Sequence, residues 1–206
     1  MKQYPAEFWN ERFGKDEYIY GTEPNKFFKE QIDNLKPASI LLPAEGEGRN
    51  AVYAALKGWA VTAFDISEKG REKANRLSKQ YNVSIDYKVI GALDYSTNLQ
   101  FDAIGLCYAH FPAEIRKQAN QHLLQYLKTG GVVIFEAFAK AQLGNASGGP
   151  KNKAMLFSVD EIKHEFAELE FQLLKEETIE LSEGNYHQGK AEVIRFVGIK
   201  EHSENH

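Results

Sequence analysis

The stretch Ile40-Leu41-Leu42-Pro43-Ala44-Glu45-Gly46-Glu47-Gly48-Arg49-Asn50 constrains the fold more than any other part of the chain. An apolar run that reads as a buried strand stops in a glycine-rich turn. Residues 51–57 then have the composition of a helix, which stops at Gly58. Strand, tight glycine turn and helix form the unit with which parallel α/β sheets seat a ligand. Gly46 and Gly48 carry no Cβ, so the backbone there can approach a ligand closely. The first N–H groups of the helix add a polar, slightly positive rim. The glycines alone fit an ordinary βα turn as well. The next segment narrows the choice: residues 59–64 read as a second strand ending at Asp65, seventeen positions after Gly48. An acidic residue about 20 positions past such a turn is where dinucleotide folds hold ribose hydroxyls.

The rest of the chain alternates in the same way. Ser67 can cap a helix running to about Tyr81, with Ala74, Leu77 and Tyr81 at helical spacing. Residues 83–90 alternate as a third strand with its exit at 91–94, and 101–107 form a fourth that ends at 108–112. A helix is expected from Pro112 to a break at Gly130-Gly131, with Ile115, Ala119, Leu123 and Leu127 or Tyr126 facing inward. Residues 132–135 read as a fifth strand, 144–153 as a mobile surface loop, and Ser158 with Glu161 as a capping box. Residues 171–181 and 191–199 read as two strands whose connector, 182–189, is short enough to force them antiparallel. The expectation is an α/β, doubly wound, mostly parallel seven-stranded sheet closed by a C-terminal antiparallel hairpin. It forms one domain over 1–206, with a fraying tail at 201–206. Five strand ends then converge on one crevice: 45–48, Asp65, 92–94, 108–110 and 136–138. The aromatic N-terminal segment 1–36 carries Tyr4, Phe8, Trp9, Phe13, Tyr18, Tyr20, Phe27 and Phe28 on two short helices. It either caps the sheet or forms a lid over that crevice.

Composition excludes several classes. With 25 basic and 29 acidic residues the net charge is −4, which argues against a nucleic-acid partner held by phosphate neutralisation. The single cysteine, Cys107, rules out an internal disulfide framework and fits a reducing, cytoplasmic setting. Neither a signal peptide nor a run of about 18 apolar residues is present, so no membrane span is expected. No metal is expected, because Cys107, His110 and His122 have no recognised ligand spacing. The sequence leaves the oligomeric state open.

Taken together, the chain resembles the class I S-adenosylmethionine-dependent methyltransferases, and within them the tellurite-resistance and thiopurine methyltransferase branch. The resemblance rests on Gly46-Glu47-Gly48-Arg49-Asn50, on Trp59 to Ser67, on Phe101-Asp102 opening the fourth strand, and on Leu127-Lys128-Thr129-Gly130-Gly131 before the fifth. Tyr20-Gly21 and Pro24-Asn25 are similar to the lid of that branch. The resemblance implies a Rossmann-like methyltransferase fold, S-adenosylmethionine as cofactor, S-adenosylhomocysteine as product, and a small-molecule acceptor. It implies that Gly46 and Gly48 pass under the cofactor, Asp65 holds its ribose diol and Ile66 packs on adenine. Ala92, where the family usually has an acidic residue, and Leu93 would flank the adenine edge with Asp94 nearby, and Cys107 and Tyr108 would lie beside the sulfonium. The chain departs from the family where Leu42-Pro43-Ala44 replaces Asp-x-Gly, so the turn is expected to be slightly wider. Glu45 is the candidate substitute for the missing acid.

Methyl transfer from a sulfonium is an in-line displacement, which needs a base only when the acceptor arrives protonated. His110, at a strand end, and His187, in the hairpin connector, are the candidates. Each also fits a packed or solvated histidine. Arg195 could hold an anionic acceptor or simply be a surface residue, and Trp9 and Tyr20 are candidate lid and substrate contacts. The acceptor favoured is a soft sulfur, selenium or tellurium species or a heterocycle. Two rivals stand beside this reading. Gly46-x-Gly48-x-x-Ala51 matches the Ala variant of the dinucleotide fingerprint, which would suit an NAD(P)-dependent oxidoreductase. The altered turn would suit an inactive nucleotide-binding module.

Overall fold

The computed structural model describes residues 6–201; Tyr4 and tail residues 202–206 lie outside the described residues. Seven strands form one sheet: β1 (Ser39–Pro43), β2 (Ala60–Asp65), β3 (Asp86–Val89), β4 (Phe101–Cys107), β5 (Leu127–Phe138), β6 (Leu169–Glu183) and β7 (His187–Lys200). Their order is β3-β2-β1-β4-β5-β7-β6. The first five run parallel, while β7 is antiparallel to both β5 and β6. This is the doubly wound sheet with a terminal hairpin that the sequence predicts. The helices are α1 (Ala6–Phe13), α2 (Lys26–Asn34), α3 (Arg49–Leu56), α4 (Glu68–Gln80), α5 (Arg116–Leu124) and α6 (Val159–Glu165). None of the helices among the described residues is long and apolar enough to cross a membrane.

β1 shows why its apolar run is continuous rather than alternating. Successive side chains of a strand point to opposite faces, and both faces here are covered. Ile40 and Leu42 pack with Phe28 of α2, Ala51 of α3 and Ala74 of α4. Leu41 packs on the other side with Leu123 of α5 and Ile162 of α6. The helix starts follow the expected chemistry. Ser67 accepts from the Gly70 N–H at 3.0 Å, and Ser158 and Glu161 form a reciprocal capping box.

Four segments differ from expectation. β3 keeps only residues 86–89, because the Val83 N–H bonds back to the Ser78 carbonyl as the exit from α4. α5 starts at Arg116 rather than Pro112 and ends at Leu124, and Gly130-Gly131 lies inside β5. The reason is pairing: Leu127 is opposite Phe101, and the register shifts between Phe101 and Ala103, so 128–131 form a bulge of which 128–130 are exposed. The hairpin pairs as far as Glu183 opposite His187, which leaves 184–186 as connector and puts His187 in a strand. Finally, segment 144–153 is tied down rather than free. Gln142 donates to Ser147 Oγ at 2.9 Å and to the Gly148 carbonyl at 3.0 Å, and Ser147 donates to the Lys190 carbonyl of β7.

The strand order reverses between β1 and β4, where doubly wound sheets open a crevice at their carboxyl ends. The N-terminal segment crosses it. Asn10 of α1 accepts from Ser67 Oγ at 2.8 Å and from the Lys69 N–H at 3.2 Å, which pins α1 to the start of α4. Glu47 of the glycine turn accepts from the Ile19 N–H at 2.8 Å and pairs with Lys73 of α4 at 2.7 Å.

Candidate active site

A cavity of about 700 Å³ lies over this crevice, between the strand ends and the N-terminal segment. That is within the roughly 300–1,000 Å³ typical of small-molecule sites. The glycine turn forms one wall. Ala44, where the resembled family has glycine, takes a left-handed φ of 51°, so the turn keeps a glycine-like path at the cost of some strain. Gly48 has a different role from the one expected. A Cβ on it would lie 2.5 Å from Ala74 Cβ, so the missing side chain lets α3 and α4 approach, and Gly48 does not line the cavity. Gly46 does line it, with its N–H donating to Asp65 at 3.0 Å and its carbonyl accepting from the Tyr87 hydroxyl at 2.6 Å.

Two carboxylates dominate this half of the cavity. Glu45 accepts from the Ala51 N–H at 2.7 Å, which places its charge on the first turn of α3. Among the described residues no cation forms a salt bridge with it, and burial pushes its carboxyl up to about 7. Asp65, only 8% exposed, accepts from the Gly46 and Ser67 N–H groups at 3.0 and 2.9 Å, and burial pushes it up to about 6. A carboxylate offers about four lone-pair sites, so acceptor capacity remains toward the cavity. Ile66 lies beside it on the wall, followed by Ile90, Gly91 and Ala92 after β3. Leu93 and Asp94 are off the cavity wall, because the chain turns away there through the Gly91–Asp94 and Gly91–Tyr95 backbone bonds. The cavity thus offers two carboxylates that form no salt bridge among the described residues, which suits a ligand with hydroxyl donors and a positive charge.

Aromatic side chains form much of the remaining wall, and the Phe13 ring packs against Gly46 of the glycine turn. Trp9 stacks on Phe13 with ring centroids 5.3 Å apart, and Tyr20 packs against His187 at 4.5 Å. Cys107 and Tyr108 close the floor at the end of β4. Burial raises the Cys107 thiol well above its ordinary range, which makes it an inert wall rather than a nucleophile. Tyr108 has a φ of 54° and donates its hydroxyl to Glu136 at 2.7 Å.

The two candidate histidines separate. His110 has both ring nitrogens committed: Nδ1 lies 2.9 Å from the Met155 carbonyl, and Nε2 accepts from the Phe138 N–H at 3.2 Å. Burial pulls it down to about 4, so it is a neutral structural residue and not a base. His187 lines the cavity with Nδ1 3.1 Å from Glu183, and no group among the described residues pairs with its Nε2. Arg195 is not an anion holder for the cavity. It lies off the wall and is neutralised by Glu136 at 2.5 Å and Glu177 at 2.8 Å.

Several wall residues were not singled out from the sequence. Arg12 lines the cavity beside Phe8 of the expected lid segment, and lies over the Phe8 and Trp9 rings at 4.7 and 5.4 Å. Their spacing of three and four on a helix was the available signal. Gly149, Pro150, Lys151 and Met155 reach the cavity from the tied-down loop, and no local pattern announces that.

Residues 40–131 match the model of a family described as a methyltransferase domain. No curated protein sequence matches the chain. The fold is similar to TehB from Haemophilus influenzae at 16% identity, with a TM-score of 0.72, covering 95% of this chain and 67% of that one. It is similar to magnesium protoporphyrin IX methyltransferase (ChlM) from Synechocystis, solved with bound S-adenosylmethionine, at 15% identity and a TM-score of 0.67, covering 95% of each chain. NodS, an N-methyltransferase from Bradyrhizobium japonicum in complex with S-adenosylhomocysteine, aligns at 13% identity and a TM-score of 0.65 over 96% of this chain and 98% of that one. At these identities the likeness is one of fold, and the seven-stranded sheet is the methyltransferase sheet.

Proposed function

We propose that this chain, an S-adenosylmethionine-dependent methyltransferase by its matched domain and its fold, methylates a small acceptor with a soft sulfur, selenium, tellurium or heterocyclic nucleophile. The observation that carries the cofactor half is the acidic pair Glu45 and Asp65 on the cavity wall. S-adenosylmethionine brings a ribose diol, an ammonium and a sulfonium to such a wall, and Asp65 and Glu45 are placed to hold the diol and the positive end. When bound, the cofactor supplies an electrophilic methyl group that is transferred by in-line displacement.

The chain's own residues would orient and shield. The aromatic side chains Phe8, Trp9, Phe13 and Tyr20 would exclude water from the cavity, and we assign the described part of the expected 1–36 lid, from residue 6 onward, as a cover over it. Arg12 and Lys151 add positive charge to the cavity wall. The acceptor shares one cavity with the cofactor, so it must be small. We place the protein near the TehB-like branch on the strength of the Tyr20-Gly21 and Pro24-Asn25 segment.

The same wall speaks against an oxidoreductase. A dinucleotide rests its pyrophosphate on the first N–H groups of the helix after the glycine turn. Here Glu45 occupies the Ala51 N–H and would repel a phosphate. Calorimetric titration with S-adenosylhomocysteine, NADH and NADPH, on wild type and Asp65→Ala, tests the proposal. Binding of the nucleoside thioether alone, weakened about 10- to 100-fold by loss of the charged hydrogen bonds, is expected. Binding of a nicotinamide cofactor instead would overturn it.

A further inference from the structure

The polar cluster behind the cavity joins parts of the chain that have no reason to meet for packing alone. Glu183, at the end of β6, lies 3.1 Å from Nδ1 of His187. The same oxygen pairs with Arg49, the first residue of α3, at 2.9 Å. Its other oxygen accepts from Asn25, which bridges to Glu136 at 2.6 Å and caps α2 by accepting from the Phe28 N–H. Glu183 and His187 are both more than nine-tenths buried. The imidazole is clamped between the rings of Tyr20 and Tyr108, at 4.5 and 4.6 Å, with Phe138 perpendicular at 5.2 Å. It therefore has one orientation. A carboxylate accepts only, so Nδ1 carries the proton and Nε2 keeps a free lone pair.

We infer that Glu183, fixed by Arg49 and Asn25, is a positioning residue that holds His187 with Nε2 as a proton acceptor at the cavity. The inference rests on the methyltransferase reading and adds to it that the acceptor arrives protonated. In the step, the acceptor atom gives its proton to Nε2 as its lone pair takes the methyl group. The products are methylated acceptor, thioether and an imidazolium faced by the ionised Glu183, and the proton then passes to water. The groups facing His187 are Tyr20 from the N-terminal segment, Arg49 from α3, Tyr108 and His110 after β4, Glu136 from β5 and Glu183 from β6. Burial lowers His187, against the pull of Glu183, so the ring is neutral and ready to accept at neutral pH. Burial alone would raise Glu183, but His187 and Arg49 outweigh it and hold the carboxyl at about 2.

The test is long-range proton–nitrogen NMR of the histidines in the full ¹⁵N-labelled chain, for wild type, Glu183→Gln and, to assign the signal, His187→Gln. The expected wild-type spectrum has His187 as the Nδ1–H tautomer. Glu183→Gln should lower the proton affinity of His187 by about tenfold or more, since it removes the facing charge. An Nε2–H tautomer in wild type, or an unchanged titration in Glu183→Gln, overturns the inference. Calorimetry with S-adenosylhomocysteine on the same samples reads the cofactor assignment separately. Loss of binding in wild type would sink that assignment whatever the tautomer.

Discussion

Glu45→Gln separates the charge of the glycine-turn carboxylate from its shape. The amide oxygen can still accept from the Ala51 N–H, so the 2.7 Å bond to α3 is retained and only the charge is lost. In the ligand-free protein that charge is costly: the carboxyl lies at about 7 instead of its ordinary 4.5, because burial penalises the ionised form. At 1.36 kcal/mol per pH unit, ionised Glu45 costs the folded state about 3 kcal/mol, an upper bound because the group is partly open to the cavity. A raised carboxyl favours folding below its unfolded value and loses that contribution as pH rises through its folded value. The stability difference between Glu45→Gln and wild type should therefore grow from pH 4.5 to 7 and then level. At 2–4 °C per kcal/mol for a chain of this size, melting at pH 8 should rise by several degrees in the variant.

Binding moves the other way. A cationic ligand favours ionised Glu45, whose ionised fraction falls from about one half at pH 7 to about 0.03 at pH 5.5. Asp65, at about 6, falls over the same range from about 0.9 to about 0.24. Wild-type affinity for S-adenosylhomocysteine, which keeps the ammonium, should thus drop by more than about tenfold between pH 7 and 5.5. Glu45→Gln should bind more weakly at pH 7 and retain only the roughly fourfold Asp65 share. Calorimetry across pH, with melting curves on the same samples, reads both effects. A wild-type affinity that is flat with pH, or a variant with the full wild-type slope, would refute the idea that Glu45 faces the cofactor's positive charge.

Lys73→Met leaves Glu47 buried without its cation and should lower stability by about 3–5 kcal/mol. Proteolysis within residues 6–20 should rise with it, because Glu47 also holds the Ile19 N–H. Gly148→Ala should cost about 1–3 kcal/mol by thermal melting, since φ is 127° and the new Cβ would lie 2.8 Å from His187 Cδ2. The His187 imidazole signals should shift in the same variant. His110 should stay neutral down to about pH 4, visible as an imidazole that does not titrate between pH 5 and 8. Its folded value lies below the unfolded one, so its contribution to stability is present above pH 6.5 and lost as pH falls toward 4.

Strands β1, β2 and β4 could be read from the sequence because each is short, mostly apolar and bounded by turn residues, and because local pattern and local structure agree there. The cavity wall could be read as far as Glu45, Gly46 and Asp65, which lie in or beside the glycine turn and the next strand end. What could not be read depends on tertiary pairing. Gly130-Gly131 looks like a helix stop, yet it sits in a bulge of β5 because Leu127 already pairs with Phe101. His187 looks like a loop residue, yet pairing of Glu183 with His187 carries it into a strand and buries it. Arg195 alternates as a surface residue should, but Glu136 on the neighbouring strand claims it. In each case the deciding partner is more than 20 residues away or is set by register rather than by composition.

The altered turn also carries an argument about chemistry. Replacing Asp-x-Gly by Leu42-Pro43-Ala44 removes an acid from the end of β1, while Glu45 returns one three positions later, over the start of α3. Packing of the turn alone gives no reason to keep a carboxylate without a salt bridge at a half-open helix N-terminus, at a cost of up to about 3 kcal/mol to the ligand-free fold. Nor does a site for a phosphate-bearing cofactor, since the same helix start would attract the phosphate itself. The charge makes physical sense if a cation arrives to meet it, and that links the sequence departure to a positively charged methyl donor.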